Sequence, residues 1–174
     1  AAQSGAPFSI NDIVPIANHL TEAGVVAVKA DSPYKTIEEL VAATKEKGNL
    51  KASTNGNKAS NHTAAQLLAK SAGFKYKAIP YGGTADQLLA LRQGEVDFTC
   101  AKVADVAKLV KGDKPELRVL AVFNTKRDPE LPNVPTLGEK GLYPEWYGSA
   151  RALVAPKGTK PEVIQYYVEA FKKT

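Results

Sequence analysis

Few side chains in this 174-residue chain can do chemistry unaided: one cysteine, Cys100, and two histidines, His19 and His62. His62 closes a run of small and polar residues, Ser53-Thr54-Asn55-Gly56-Asn57-Lys58-Ala59-Ser60-Asn61-His62. Between a strand and a helix, such a run leaves backbone N–H groups free. The helix dipole adds partial positive charge, so an anion is the natural guest. A capped loop with Ser60 as a plain N-cap accounts for the same residues equally well. A second run, Pro80-Tyr81-Gly82-Gly83-Thr84, pairs two glycines that let backbone approach a ligand closely. There Tyr81 can cover an apolar face or donate its hydroxyl, although an ordinary Gly-Gly turn explains this run taken alone. Two such loops after successive parallel strands would meet at one sheet edge. Lys102 follows an apolar strand on that edge, where it can neutralise a carboxylate or stand as a solvated surface lysine.

Covalent and metal chemistry find less support. Cys100 sits in an apolar strand and reads as a small buried hydrophobe rather than a nucleophile. His62 reads as fixing its loop by hydrogen bonding. Ser60 lacks a G-x-S-x-G elbow, and nothing orders His62 into a triad. So few histidines and cysteines give a transition-metal site little to stand on. No catalytic residue, metal or cofactor is expected. Trp146, beside Tyr143 and Tyr147, can line a cleft mouth or simply pack a loop.

Short apolar runs alternating with capped amphipathic stretches must position these loops. Val25 to Val28 is a β-branched run, expected as a buried strand. Thr36 with Glu39 forms a capping box ahead of a helix that Gly48 stops. Strands are then expected over 51–54, 74–80, 96–100, 117–123 and 151–155. Helices are expected from Ser60 to Gly73, from Thr84 to Gly94 and over 103–111, with Thr84 and Gln87 as a second capping box. Thr136 with Glu139 should open a short helix, and Thr159 with Glu162 should cap a terminal one. Strand and helix alternating in this way argue for an α/β fold with a mainly parallel sheet flanked by helices.

The chain is 44% hydrophobic and 24% charged, which suits one domain or two small lobes. No apolar run approaches the ~20 residues needed to cross a bilayer. The opening AAQSGAPFSINDIV lacks the basic and apolar regions of a signal peptide, and the sequence contains no Met. A processed or excised piece is the expectation. The net charge of +5 is spread over lysines interleaved with acids, as in Lys45-Glu46-Lys47, so no nucleic-acid partner is expected.

Longer stretches carry a specific resemblance. They are DSPYKTIEELVAATKEKGNLKAST at 31–54, the Gly56…Ser60-Asn61-His62 loop and IPYGGTADQLLALRQGEVDF at 79–98. LRVLAVFNTKRDPELPNVPTLGEKGL at 117–142 and Trp146-Tyr147-Gly148…LVAPKGT complete the series. In this order they resemble the receptors of tripartite tricarboxylate transporters, the Bug family of periplasmic solute-binding proteins. The resemblance implies a two-lobed, type II periplasmic-binding fold that closes over a small organic acid. Family members hold the ligand carboxylate through backbone amides and waters, with side-chain help from both lobes. It assigns residues 1–24 to the first lobe and crossover, 25–122 to the second lobe, and 123–174 to a return segment.

By position, Thr54, Gly56, Ser60, His62, Tyr81, Gly82, Gly83 and Lys102 would lie at the cleft. Lys58 joins them as a departure, a cation where many members have glycine, while Ala59 replaces their Ser or Thr. The implied ligand is a di- or tricarboxylate or an amino acid, the implied partners are membrane transporter subunits, and the implied location is the periplasm. Relatives also begin upstream, with a strand and glycine-rich loop that complete the first lobe. Two rivals stand beside this reading: a ligand-sensing regulatory domain of the same fold, and a hydrolase using Ser60 or Cys100 with His62.

Overall fold

A computed structural model describes residues 7–173 of the chain; residues 1–6 and 174, the outermost parts of the expected 1–24 and 123–174 segments, lie outside them. The chain divides into two compact units, Glu22–Ser149 and a smaller one built from residues up to Thr21 and from Ala150 onward. The expected lobe over 25–122 falls within the larger unit.

That unit is organised by the later part of β1 (Ile13–Lys29), where Val25, Val26, Ala27 and Val28 are fully buried. A strand covered on both faces must be apolar throughout, which is why this run shows no alternation. After β1 the chain forms α1 (Ile37–Lys47), β2 (Lys51–Thr54), α2 (Ser60–Ala72), β3 (Lys77–Pro80), α3 (Thr84–Gln93), β4 (Phe98–Lys102), α4 (Val103–Val106) and β5 (Leu117–Phe123). The sheet order is β3-β2-β4-β1-β5, and a later strand, β6 (Gly148–Pro156), pairs with β1. β2 runs parallel to β3 and β4, whereas β1 is antiparallel to both β4 and β5. The expected mainly parallel sheet is therefore mixed, with β2 to β5 running one way and β1 reversed. Direction leaves no trace in a uniformly apolar run.

The caps explain most boundaries. Thr36 Oγ1 accepts from Glu39 N at 3.2 Å and Glu39 Oε2 accepts from Thr36 N at 3.3 Å, so the capping box of α1 forms as its spacing predicts. Gly48 (φ 65°), Gly73 (φ 69°) and Gly94 (φ 78°) end α1, α2 and α3 in the left-handed region. Helix α2 also captures Phe74, whose N–H donates to Ala69 O at 3.0 Å, and this delays β3 to Lys77. Strand β4 starts at Phe98, two residues later than expected, and carries through to Lys102.

Away from the strand-edge loops, three expected helical features differ. The 103–111 helix is a single turn, after which Leu109 O accepts from Glu116 and Leu117 N–H and folds the chain back. Thr136 does accept from Glu139 N, at 3.0 Å, but its backbone is committed to a parallel bridge with Val122, so a turn forms instead of a helix. The terminal helix α5, Pro161–Phe171, follows Lys160, which supplies no side-chain cap, while Thr159 Oγ1 donates to Pro156 O. In the smaller unit Ala155 is the one buried residue among those described, and α5 buries none of its apolar side chains.

Candidate functional site

Parallel β2, β3 and β4 end at one edge, at Thr54, Pro80 and Lys102. Reversed β1 brings Gly24 opposite both Lys102 and Phe123, so β5 ends there too. The loop 55–59 and the turn 81–83 leave this edge and lead into α2 and α3. They are neighbours, for Tyr81 N donates to Thr54 O at 2.9 Å. The N-cap of α2 is Ala59 and that of α3 is Gly83, and neither supplies a side-chain cap. Ser60 is thus the first residue of α2 rather than its cap, and Thr84 and Gln87 do not form the expected capping box. Two helix N-termini keep first-turn N–H groups for another acceptor.

The side chains of the edge form a buried polar chain. Lys102 is 5% exposed, which overturns the solvated-surface reading. Its ammonium donates to Asn61 Oδ1 at 2.6 Å and to Ser60 Oγ at 3.2 Å. Asn61 Nδ2 donates to Gln87 Oε1 at 2.9 Å, and Gln87 Nε2 donates to Cys100 O at 2.7 Å and to Thr99 Oγ1. Ser53 Oγ closes the chain on Thr99 Oγ1 at 2.9 Å. Gln87 therefore ties α3 to β2 and β4, where the sequence suggested a local contact. A buried cation held by this network biases the edge towards anions, because Coulomb interactions strengthen as solvent is excluded.

The other expected residues sort as follows. Thr54 is fully buried, and its Oγ1, like Asn55 Oδ1, has no hydrogen-bond partner. Leaving such groups unpaired costs on the order of 1–3 kcal/mol each. Gly56 (φ 113°) and Lys58 (φ 61°) both take left-handed backbone. Lys58 N donates to His62 Nδ1 at 3.2 Å, so His62 braces its loop. Gly83 is extended, and a Cβ there would meet no atom within 4 Å, while one at Gly82 would only touch Asp86 at 3.4 Å. Open space, rather than backbone strain, surrounds both. Tyr81 turns its hydroxyl to Glu95 Oε2 at 3.1 Å; burial and that carboxylate raise its pKa.

Asn61, Gln87 and Tyr147 belong to this edge, although none was expected among its binding residues. Tyr147 OH donates to Ser60 O at 3.2 Å, and its backbone pairs with Gly24 and Phe123. The Trp146-Tyr147-Gly148 motif was the available signal. Cys100 is buried, and desolvation pushes its thiol up to about 12 although Lys102 pulls it back. Such a thiol is no nucleophile at neutral pH.

Comparison with known proteins places the chain in a family. The family described as tripartite tricarboxylate transporter family receptor matches residues 4–174. A UPF0065 protein from the gbd 5' region of Cupriavidus necator is 36% identical over 165 residues, covering 94% of this chain and 48% of its own length. The chain thus spans about half the length of the curated relatives it matches. A TctC solute-binding protein from Polaromonas superposes with a TM-score of 0.82 at 30% identity, over 97% of this chain and 57% of that one. MatC from Rhodopseudomonas palustris, solved with bound malate, superposes with a TM-score of 0.80 at 25% identity, over 95% and 56% respectively. With its strand-edge loops, mixed sheet and matched motifs in one order, the chain belongs to the receptor family of the tripartite tricarboxylate transporters.

Proposed function

We propose that this chain is the ligand-gripping part of a periplasmic receptor that captures a small organic carboxylate and hands it to the membrane subunits of a tripartite carrier. The observation that carries the reading is Lys102, a buried ammonium at the edge where two helices without side-chain caps begin. That arrangement binds a carboxylate by charge and by backbone N–H groups together. The malate held by MatC supports the same ligand class. Thr54, Gly56, Lys58, Ser60, His62, Gly82, Gly83 and Lys102 form the proposed ligand edge. Tyr81 belongs to it through its backbone and ring, since its hydroxyl is engaged by Glu95. Residues 25–122 act as one lobe and 123–174 as the return segment.

The receptor reading assigns no turnover. Ser60 Oγ accepts from Lys102, His62 Nδ1 accepts from Lys58, and the Cys100 thiol is buried. A thermal-shift screen against mono-, di- and tricarboxylates and amino acids tests the reading, because a ligand that binds the folded state alone must raise the melting temperature. A rise with one carboxylate class is expected. No rise with any acid, in protein that melts cooperatively, or hydrolysis of a generic ester blocked by Ser60→Ala, would overturn it.

A further inference from the structure

Lys58 is the one described non-glycine residue with a positive φ, 61°. A lysine there is strained by about 1 kcal/mol relative to glycine. Among the described residues its ammonium makes no ion pair or hydrogen bond, and the side chain is exposed. The backbone holding it is not loose, since its N–H is taken by His62 Nδ1 at 3.2 Å. Two residues further on, Ser60 Oγ receives the buried Lys102 ammonium at 3.2 Å. The 53–62 stretch therefore touches a buried cation at its helix end and carries an exposed cation on held backbone at its tip.

A second, independent observation marks this loop as built for a guest. Thr54 Oγ1 is wholly buried without a partner, and Asn55 Oδ1 beside it is in the same condition. Thr54 shares its strand face with Ala52, and Lys102 shares its own with Cys100 and Phe98. All three of these apolar partners pack in the cluster containing Leu68 of α2. Thr54 and Lys102 thus leave the sheet on the α2 side, towards the start of that helix.

Resting on the receptor reading above, we propose that Lys58 determines specificity by selecting dianions. In this arrangement one carboxylate of a dicarboxylate lies at Lys102, Ser60 and Thr54, and Lys58 receives the second. A monocarboxylate of the same length fills the first position and leaves Lys58 in water. The chemistry recognised is a pair of carboxylates on a short chain, and the Lys58 end, being solvent-facing, carries the salt-sensitive part of the affinity.

The test is calorimetric titration of the protein with succinate and with butyrate, in the natural sequence and in Lys58→Gln, Lys58→Gly and Lys58→Arg. The natural protein should prefer the dicarboxylate. That preference ratio should fall about two- to fivefold in both Lys58→Gln and Lys58→Gly, and persist in Lys58→Arg. Lys58→Gly should also melt higher, because it relieves the left-handed strain, so loss of the ratio there cannot be ascribed to misfolding. An unchanged ratio in Lys58→Gln and Lys58→Gly overturns the proposal while leaving the receptor reading intact. Binding of neither acid, nor of any other carboxylate, by the natural protein sinks the receptor reading and this inference with it.

Discussion

Lys102 shows how one buried side chain sets the character of an edge. Its stem lies in the strand and its ammonium joins Asn61 and Ser60, so removing the charge disturbs that network and, on the proposed function, the carboxylate position beside it. Lys102→Met should weaken carboxylate binding at least about tenfold by titration calorimetry, and retained affinity would place the guest elsewhere. Tyr76 is a different case. Its hydroxyl is buried without a partner among Phe74, Phe98 and the Cys100 region, and desolvation raises it to about 12, with Cys100 adding to the rise. Cys100 is likewise raised to about 12. Both groups are neutral when protonated, so the fold keeps protons that the unfolded chain releases above roughly pH 9 to 10. Their contribution is complete below that range and is lost as pH climbs towards 12. The urea midpoint should therefore fall between pH 8 and 10.5, and fall less in Tyr76→Phe. That variant should itself gain roughly 1 kcal/mol at pH 7 by deleting an unpaired hydroxyl. A midpoint that rises with pH would contradict the burial argument.

At the scale of elements, β1 and β6 approach closely at Gly148. A Cβ on Gly148 would collide with the backbone carbonyl of Glu22, which cannot yield cheaply. Gly148→Ala should cost more than about 2 kcal/mol in chemical denaturation, and a change within error would mean that the strands part readily. How legible elements were follows from how local their causes are. The α1 box, the glycine stops and β5 were readable because caps and short apolar runs act within a few residues. Gln87 was not readable, because Thr84–Gln87 spacing looks like a cap while its amide is claimed by β2 and β4 across the core. Thr136–Glu139 failed similarly: the local bond forms, yet pairing with Val122 holds the backbone extended.

In the whole molecule, burial is unequal between the two units. The larger carries two apolar clusters, one on each face of the sheet, whereas Leu153, Val154, Val163, Tyr166 and Tyr167 of the smaller are exposed. Local stability follows buried contacts, so amide exchange should be slowest in β4, β5 and the Val25–Val28 stretch. Exchange in α5 should be faster by orders of magnitude under the same conditions. Equal protection in α5 and β5 would show that something covers its apolar face in solution.

Taken alone, the sequence determined the alternation of strands and helices, the two loops that follow β2 and β3, and the family to which they belong. These depend on spacing, glycine placement and motif order, all of which are local or linear. Only the tertiary structure decided that β1 runs against its neighbours, that Lys102 is buried rather than solvated, and that Asn61 and Gln87 bind it into the sheet. Strand direction and burial are properties of pairing between distant segments. A charged or amide side chain reads the same on paper whether water or a protein network satisfies it.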